Sequence, residues 1–150
     1  MKKIYLFTAL IFNFFAFSQI KSIELIKCEK IGIISQGAFS IKNEKCTDGN
    51  YKFTFRDFNY QRINVLEEFK FKDIDGAYDS LFNAIINAFE TKNGQAFELP
   101  NEIIQLKYMS SLGVKGVAIA MRKKIINSES QSNYFVKNQY YKLFGKEKEK

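Results

Sequence analysis

The sequence predicts an α+β domain: a mainly antiparallel sheet of about five to seven strands, one main helix packed on one face, and a short C-terminal helix. Three observations predict it. Tyr51, Phe53 and Phe55 alternate with Lys52, Thr54 and Arg56, the two-residue period of a half-buried strand. Ala77, Tyr78, Leu81, Phe82, Ile85, Ile86 and Phe89 recur at helical spacing, forming a broad stripe that needs an apolar platform. Strand-like segments lie both before and after that stripe, and runs of strands with a helix set aside are the pattern of an α+β fold.

The chain opens with Met1-Lys2-Lys3, an apolar run from Ile4 to Phe15, and then Ala16-Phe17-Ser18. A positive start, an apolar stretch of about 7–15 residues and small residues at a cut site are the parts of a secretory signal peptide. Ala16 and Ser18 place the expected cut between Ser18 and Gln19. A spanning helix takes about 20 apolar residues, and this run is shorter and interrupted by Thr8 and Asn13. Cys28 lies too far beyond it for lipid attachment. The expected organisation is a signal peptide over 1–18, one domain over 19–145 and a charged tail over 146–150. Removing 18 of the 150 residues leaves 132, and the net charge falls from +7 to +5 as Lys2 and Lys3 leave. The product is expected in the periplasm or outside the cell, with no stable transmembrane anchor after cleavage.

The first strand is expected within Gln19 to Lys30, which carries Ile23, Leu25, Ile26 and Cys28. Gly32 and Gly37 bracket Ile33-Ile34, and a short second strand passes through Phe39-Ser40-Ile41. Thr47-Asp48-Gly49-Asn50 reads as a turn, because Asp-Gly supplies the positive φ a tight hairpin needs. After Tyr51–Arg56 comes a connection over 57–61, then strand character within 62–72, clearest at Phe69-Lys70-Phe71. Asp73 or Asp75 can cap the helix by accepting from its free backbone N–H groups, and Asn93-Gly94 ends it. Strands resume over 95–99, where Phe97 and Leu99 share a face, and again over 103–108 after Pro100. A turn is expected at Ser110-Ser111. Val114 to Met121 is apolar on both faces toward its end, as in a central strand covered on two sides. Residues 127–133 read as a polar surface loop. Val136, Tyr140, Leu143 and Phe144 mark the terminal helix, stopped by Gly145 in the left-handed conformation.

The chemistry is bounded mainly by what is missing. The chain has no histidine, which excludes Ser-His-Asp and Cys-His catalysis and ordinary histidine zinc sites. Its two cysteines, Cys28 and Cys46, predict one disulfide in an exported chain, closing 19 residues for a stabilisation of about 3 kcal/mol. No cofactor, metal or nucleotide site is expected. Asp73-Ile74-Asp75-Gly76 echoes the start of a calcium loop, but Tyr78 and Leu81 belong to the helix stripe where further ligands would be needed. Ser110-Ser111 and Gly113 to Gly116 match neither a nucleophile elbow nor a phosphate loop.

Two kinds of charged group remain. Glu67, Glu68, Asp73 and Asp75 raise a carboxylate-based glycan hydrolase, which needs two carboxyls facing each other across a cleft. Adjacent residues on a strand point to opposite faces, which separates Glu67 from Glu68. Lys52, Arg56, Arg62, Lys70 and Lys72 on one sheet face, and Arg122-Lys123-Lys124, are candidates for holding a polyanion by charge and stacking. The strand alternation sends the aromatic residues to the opposite face. The organisation resembles small exported bacterial proteins in general and carries no family motif. The expected function is a non-enzymatic binding or accessory domain whose partner is another protein or an envelope component. The hydrolase and the polyanion module are its alternatives, and nucleic acid is not the expected partner.

Overall fold

Four strands and a helix, followed by four more strands and a second helix, make up the computed structural model, which describes residues 25–36, 38–60 and 62–147. The expected signal peptide, the first six residues of the expected domain and the last three of the charged tail lie outside those residues. Strands β1 (Cys28–Gln36), β2 (Ala38–Cys46), β3 (Asn50–Arg56) and β4 (Leu66–Lys72) form one antiparallel sheet in sequential order. Helix α1 (Ala77–Thr91) follows. Strands β5 (Ala96–Glu98), β6 (Glu102–Ser111), β7 (Val114–Lys123) and β8 (Glu129–Gln131) form a second antiparallel sheet, also in sequential order, and α2 (Lys137–Leu143) closes the chain. The α+β class holds. Among the described residues the strands number eight, in two sheets, where the sequence predicts about five to seven in one sheet. The same plan is written twice, a four-strand meander and then a helix, in two halves whose sequences show no repeat.

The first sheet follows its alternation closely. Tyr51, Phe53 and Phe55 point inward and are buried, opposite Lys45, Asn43 and Ile41 on β2, while Phe69 and Phe71 of β4 stand opposite Phe53 and Tyr51. Phe53 and Phe69 stack with ring centroids 5.1 Å apart. The outer face carries Lys42, Glu44, Lys52, Glu68 and Lys70. Asp48-Gly49 makes the β2–β3 turn, with Gly49 at φ 81°. Cys28 and Cys46 are directly opposed in the β1–β2 register and are joined by the expected disulfide.

In the second sheet, β7 lies between β6 and β8 and is buried from Gly116 to Met121, as its two-sided apolar run requires. Val117, Ile119 and Met121 face the core shared with the first sheet. Two sequence expectations are corrected here. Ser110 and Ser111 belong to β6: Ser111 pairs with Val114, which leaves Leu112-Gly113 as a two-residue turn with φ of 49° and 80°. Residues 127–133 are not a plain loop, because Glu129–Gln131 is the edge strand β8 and Ser130 and Ser132 are buried. The Ser132 hydroxyl accepts from the Ile119 N–H at 2.9 Å, so a polar stretch completes the backbone bonding of the central strand.

Helix α1 lies against β6, β7 and α2, and Tyr78 reaches the first sheet by stacking on Tyr51 at 4.0 Å. Asp73 serves its start, as expected, by accepting from the Tyr78 N–H at 3.0 Å. Helix α2 ends in a Schellman cap: the Lys146 N–H donates to Tyr141 O, the Gly145 N–H to Lys142 O, and Gly145 has φ 64°. Its buried Tyr140, Leu143 and Phe144 fill the space between the sheets.

One polar group crosses this core. Asn43 Nδ2 donates to Tyr78 Oη (2.8 Å) and to Leu143 O (3.2 Å), while Tyr78 Oη donates to Phe144 O (3.2 Å). The network ties β2, α1 and the end of α2 together. Burial pushes the Tyr78 hydroxyl up to about 12, and burial also raises that of Tyr140, which donates to Val117 O. A raised tyrosine stays neutral in the folded protein where the unfolded chain has already ionised. Its contribution to stability is therefore complete below pH 10.0 and is lost as pH rises towards about 12. Urea titrations are expected to show unfolding free energy declining above pH 10. Tyr78→Phe should lower stability at neutral pH by about 1–3 kcal/mol and flatten part of the alkaline decline, with Tyr140 retaining the remainder.

Candidate functional site

An apolar concavity opens where the two sheets stop short of each other. Edge strand β4 of the first sheet and edge strand β5 of the second flank a cleft of about 400 Å³, floored by the start of α1 and by Ile104 of β6. Phe69, Phe71, Leu81, Phe97, Leu99 and Ile104 supply an apolar lining, with Ala77 leaving room at the first turn of the helix. Each wall follows from local alternation. Lys70 turns outward so that Phe69 and Phe71 face in, and exposed Glu98 separates the half-buried Phe97 and Leu99.

Two charged residues stand at the rim. Glu98 is joined to Lys124 at 2.7 Å, and that hydrogen bond and charge hold its carboxyl below the usual range. Lys124 also donates to Leu99 O (2.6 Å) and Pro100 O (3.3 Å), clasping the β7–β8 turn to the β5–β6 turn. Lys72 lines the cleft and makes no ion pair among the described residues. The site is therefore an apolar slot with Lys72, uncommitted among the described residues, at its mouth. Slots of this size and lining bind small, mainly apolar ligands, with the polar groups fixing orientation.

The charged residues singled out in the sequence are scattered. Lys52 shares Glu44 with Lys42, at 3.0 and 2.9 Å. Burial works against the Glu44 anion, yet hydrogen bonds and charge from the two lysines prevail and its carboxyl lies below the ordinary value. Lys70 pairs with Glu68 at 3.1 Å, so the outer face holding Lys52, Arg56 and Lys70 is a mixed surface with interleaved acids. Lys123 pairs with Glu67 at 2.7 Å, linking β7 to β4. Arg62 and Arg122 are exposed and make no ion pair among the described residues. Of the four carboxylates, Glu67 and Glu68 are each held by a lysine, Asp73 caps α1 and Asp75 occupies the left-handed turn before it, at φ 54°. Among the described residues, no three acidic or thiol side chains converge as a metal site.

No family model, curated protein or solved structure matches this chain. The slot itself was half visible in the sequence. The alternation puts Phe97 and Leu99 on one face and Phe71 on an alternating strand, but nothing in the spacing says that β4 and β5 face each other across a gap.

Proposed function

We propose that the protein is a non-enzymatic, exported binding domain whose cleft takes the acyl chain of an amphipathic envelope component, with Lys72 meeting the acidic head. The apolar slot between β4 and β5 carries this reading. Its lining offers dispersion and desolvation to a chain of methylenes, each worth about 0.8 kcal/mol when fully buried. Lys72 supplies the one charge such a ligand requires. The Cys28–Cys46 disulfide supports an oxidising compartment, in keeping with the leader read in residues 1–18. No described helix is long and apolar enough to cross a membrane.

Calorimetric titration with dodecanoate is expected to give saturable one-to-one binding. Ala77→Phe, which fills the slot from the first turn of α1, should weaken it by roughly tenfold or more, about 1.4 kcal/mol. Lys72→Glu should weaken dodecanoate while leaving dodecanol unaffected. Absence of saturable binding, or binding indifferent to Ala77→Phe in a variant that melts like wild type, defeats the reading.

A further inference from the structure

The end of the molecule that carries the β3–β4 connection and the β7–β8 turn turns six large apolar side chains to solvent. Phe58, Tyr60 and Ile63 stand on the first segment, Leu66 at the start of β4 that follows it, and Ile125 (88% exposed) and Ile126 on the second. The first segment and β4 are tied to the two strands that carry the second: the Phe58 N–H donates to Gln131 O of β8 at 2.7 Å, and Glu67 of β4 pairs with Lys123 of β7 at 2.7 Å. A buried carboxylate sets the shape of the first. Asp57 Oδ1 accepts from the Asn59 N–H (3.0 Å) and the Gln131 N–H (3.2 Å), and the Asp57 N–H donates to Val65 O (2.9 Å). The neck of the connection is thereby closed and pinned to β8, and its apolar side chains are held outward.

Charge at this end is sorted as well. Glu67, Glu98 and Glu129 are each engaged by a lysine, Lys123, Lys124 and Lys107. Arg62 and Arg122 are exposed and make no ion pair among the described residues. Arg62 borders an open hollow of about 620 Å³ shared with Phe58, Asn59, Tyr60 and Ile63.

We propose that this end docks on the surface of a bilayer containing anionic lipid. The six apolar side chains enter the boundary between headgroups and acyl chains, and Arg62 and Arg122 meet lipid phosphates. Aromatic and aliphatic side chains mixed with arginine are the composition of an interfacial anchor. Five of the six side chains stand on two separate loops and Leu66 at the strand edge of one of them, and a fluid bilayer closes around such protrusions, whereas a protein partner must match them with a shaped surface. The proposal rests on the loops and does not depend on the cleft.

The test is sedimentation of the protein, recovered after export with its N-terminus verified by mass, with vesicles of phosphatidylcholine alone or mixed with phosphatidylglycerol. Wild type is expected to sediment with the mixed vesicles, and added salt should weaken the interaction without abolishing it. The double variant Ile125→Asp, Ile126→Asp should lower partitioning roughly tenfold or more. Arg62→Glu and Arg122→Glu should each lower it about fivefold on the mixed vesicles only. All four positions are exposed, so thermal melts should match wild type. Failure to sediment with the mixed vesicles, as expected of a protein-binding face, overturns the proposal, as does partitioning unchanged by the isoleucine variant. Dodecanoate titration of that variant separates the two readings, because an intact cleft binds whether or not the loops dock.

Discussion

Phe53→Asp is expected to abolish the cooperative fold. Phe53 is fully buried at the centre of the first sheet, stacked on Phe69 at 5.1 Å and packed against Phe71 at 6.1 Å and Phe144 at 5.4 Å. Removing a buried phenylalanine ring costs about 3–5 kcal/mol through lost transfer energy and the cavity left behind. An aspartate adds the desolvation of a carboxylate that has no cation within the ring cluster to pair with. A domain of this size has a total stability of about 5–15 kcal/mol, so the two costs together consume most or all of it. The expected protein is insoluble, or compact with far-ultraviolet circular dichroism retained and near-ultraviolet signal lost. Phe53→Leu keeps most of the apolar volume and should stay folded with a lowered Tm. A sharp thermal transition in the aspartate variant would mean that the ring cluster of Phe53, Phe69, Phe71 and Phe144 does not hold the first sheet to the rest of the core.

The buried faces were legible because period-2 and period-3.6 patterns are local, although the helix stripe lies on β6 and β7 and meets the aromatic face of the first sheet through Tyr78. Tyr51 to Arg56 and Ala77 to Phe89 announced their buried faces, and Asp48-Gly49 and Gly145 announced the backbone conformations they adopt. What the patterns do not encode is which buried face meets which. The division into two sheets depends on where β4 ends its pairing, and a residue's own alternation says nothing about the absence of a neighbour beyond an edge. Edge strand β8 was missed for a related reason. Ser130 and Ser132 look like loop residues until the Ser132 hydroxyl is seen replacing a strand partner for Ile119. The candidate site inherits the same blindness. Phe71, Phe97 and Leu99 are ordinary half-buried residues individually, and they line a slot only because two edges stand opposite each other. The basic residues failed in the opposite direction. Lys52, Lys123 and Lys124 looked available in one dimension, but tertiary contacts supply each with an acid.

Gly32→Ala turns on a contact of that tertiary kind, and its expected sign is unusual. Read along the chain, Gly32 marks a break between strands. In the fold it lies inside β1, beside an irregularity in the pairing with β2 between Lys30 and Gly32. Replacing glycine by alanine within a strand ordinarily stabilises by about 0.5–1 kcal/mol, because the unfolded chain loses freedom. Here an added Cβ would stand 2.3 Å from Lys142 O and 2.4 Å from Leu143 O. Both are backbone atoms, so relief requires the C-terminal end of α2 to move. Leu143 O accepts from Asn43, and that end carries Phe144, which packs on Phe53, Tyr78 and Phe82. Overpacking alone costs about 1–3 kcal/mol, and breaking the buried Asn43 bond adds about 1–3 kcal/mol. The net expectation is a destabilisation of about 3–4 kcal/mol by urea titration, accompanied by loss of the near-ultraviolet signal from the Tyr78–Phe144 contact. A variant as stable as wild type, or more so, would show that α2 does not seat against β1 at Gly32, and the Asn43–Leu143 bond would fall with it.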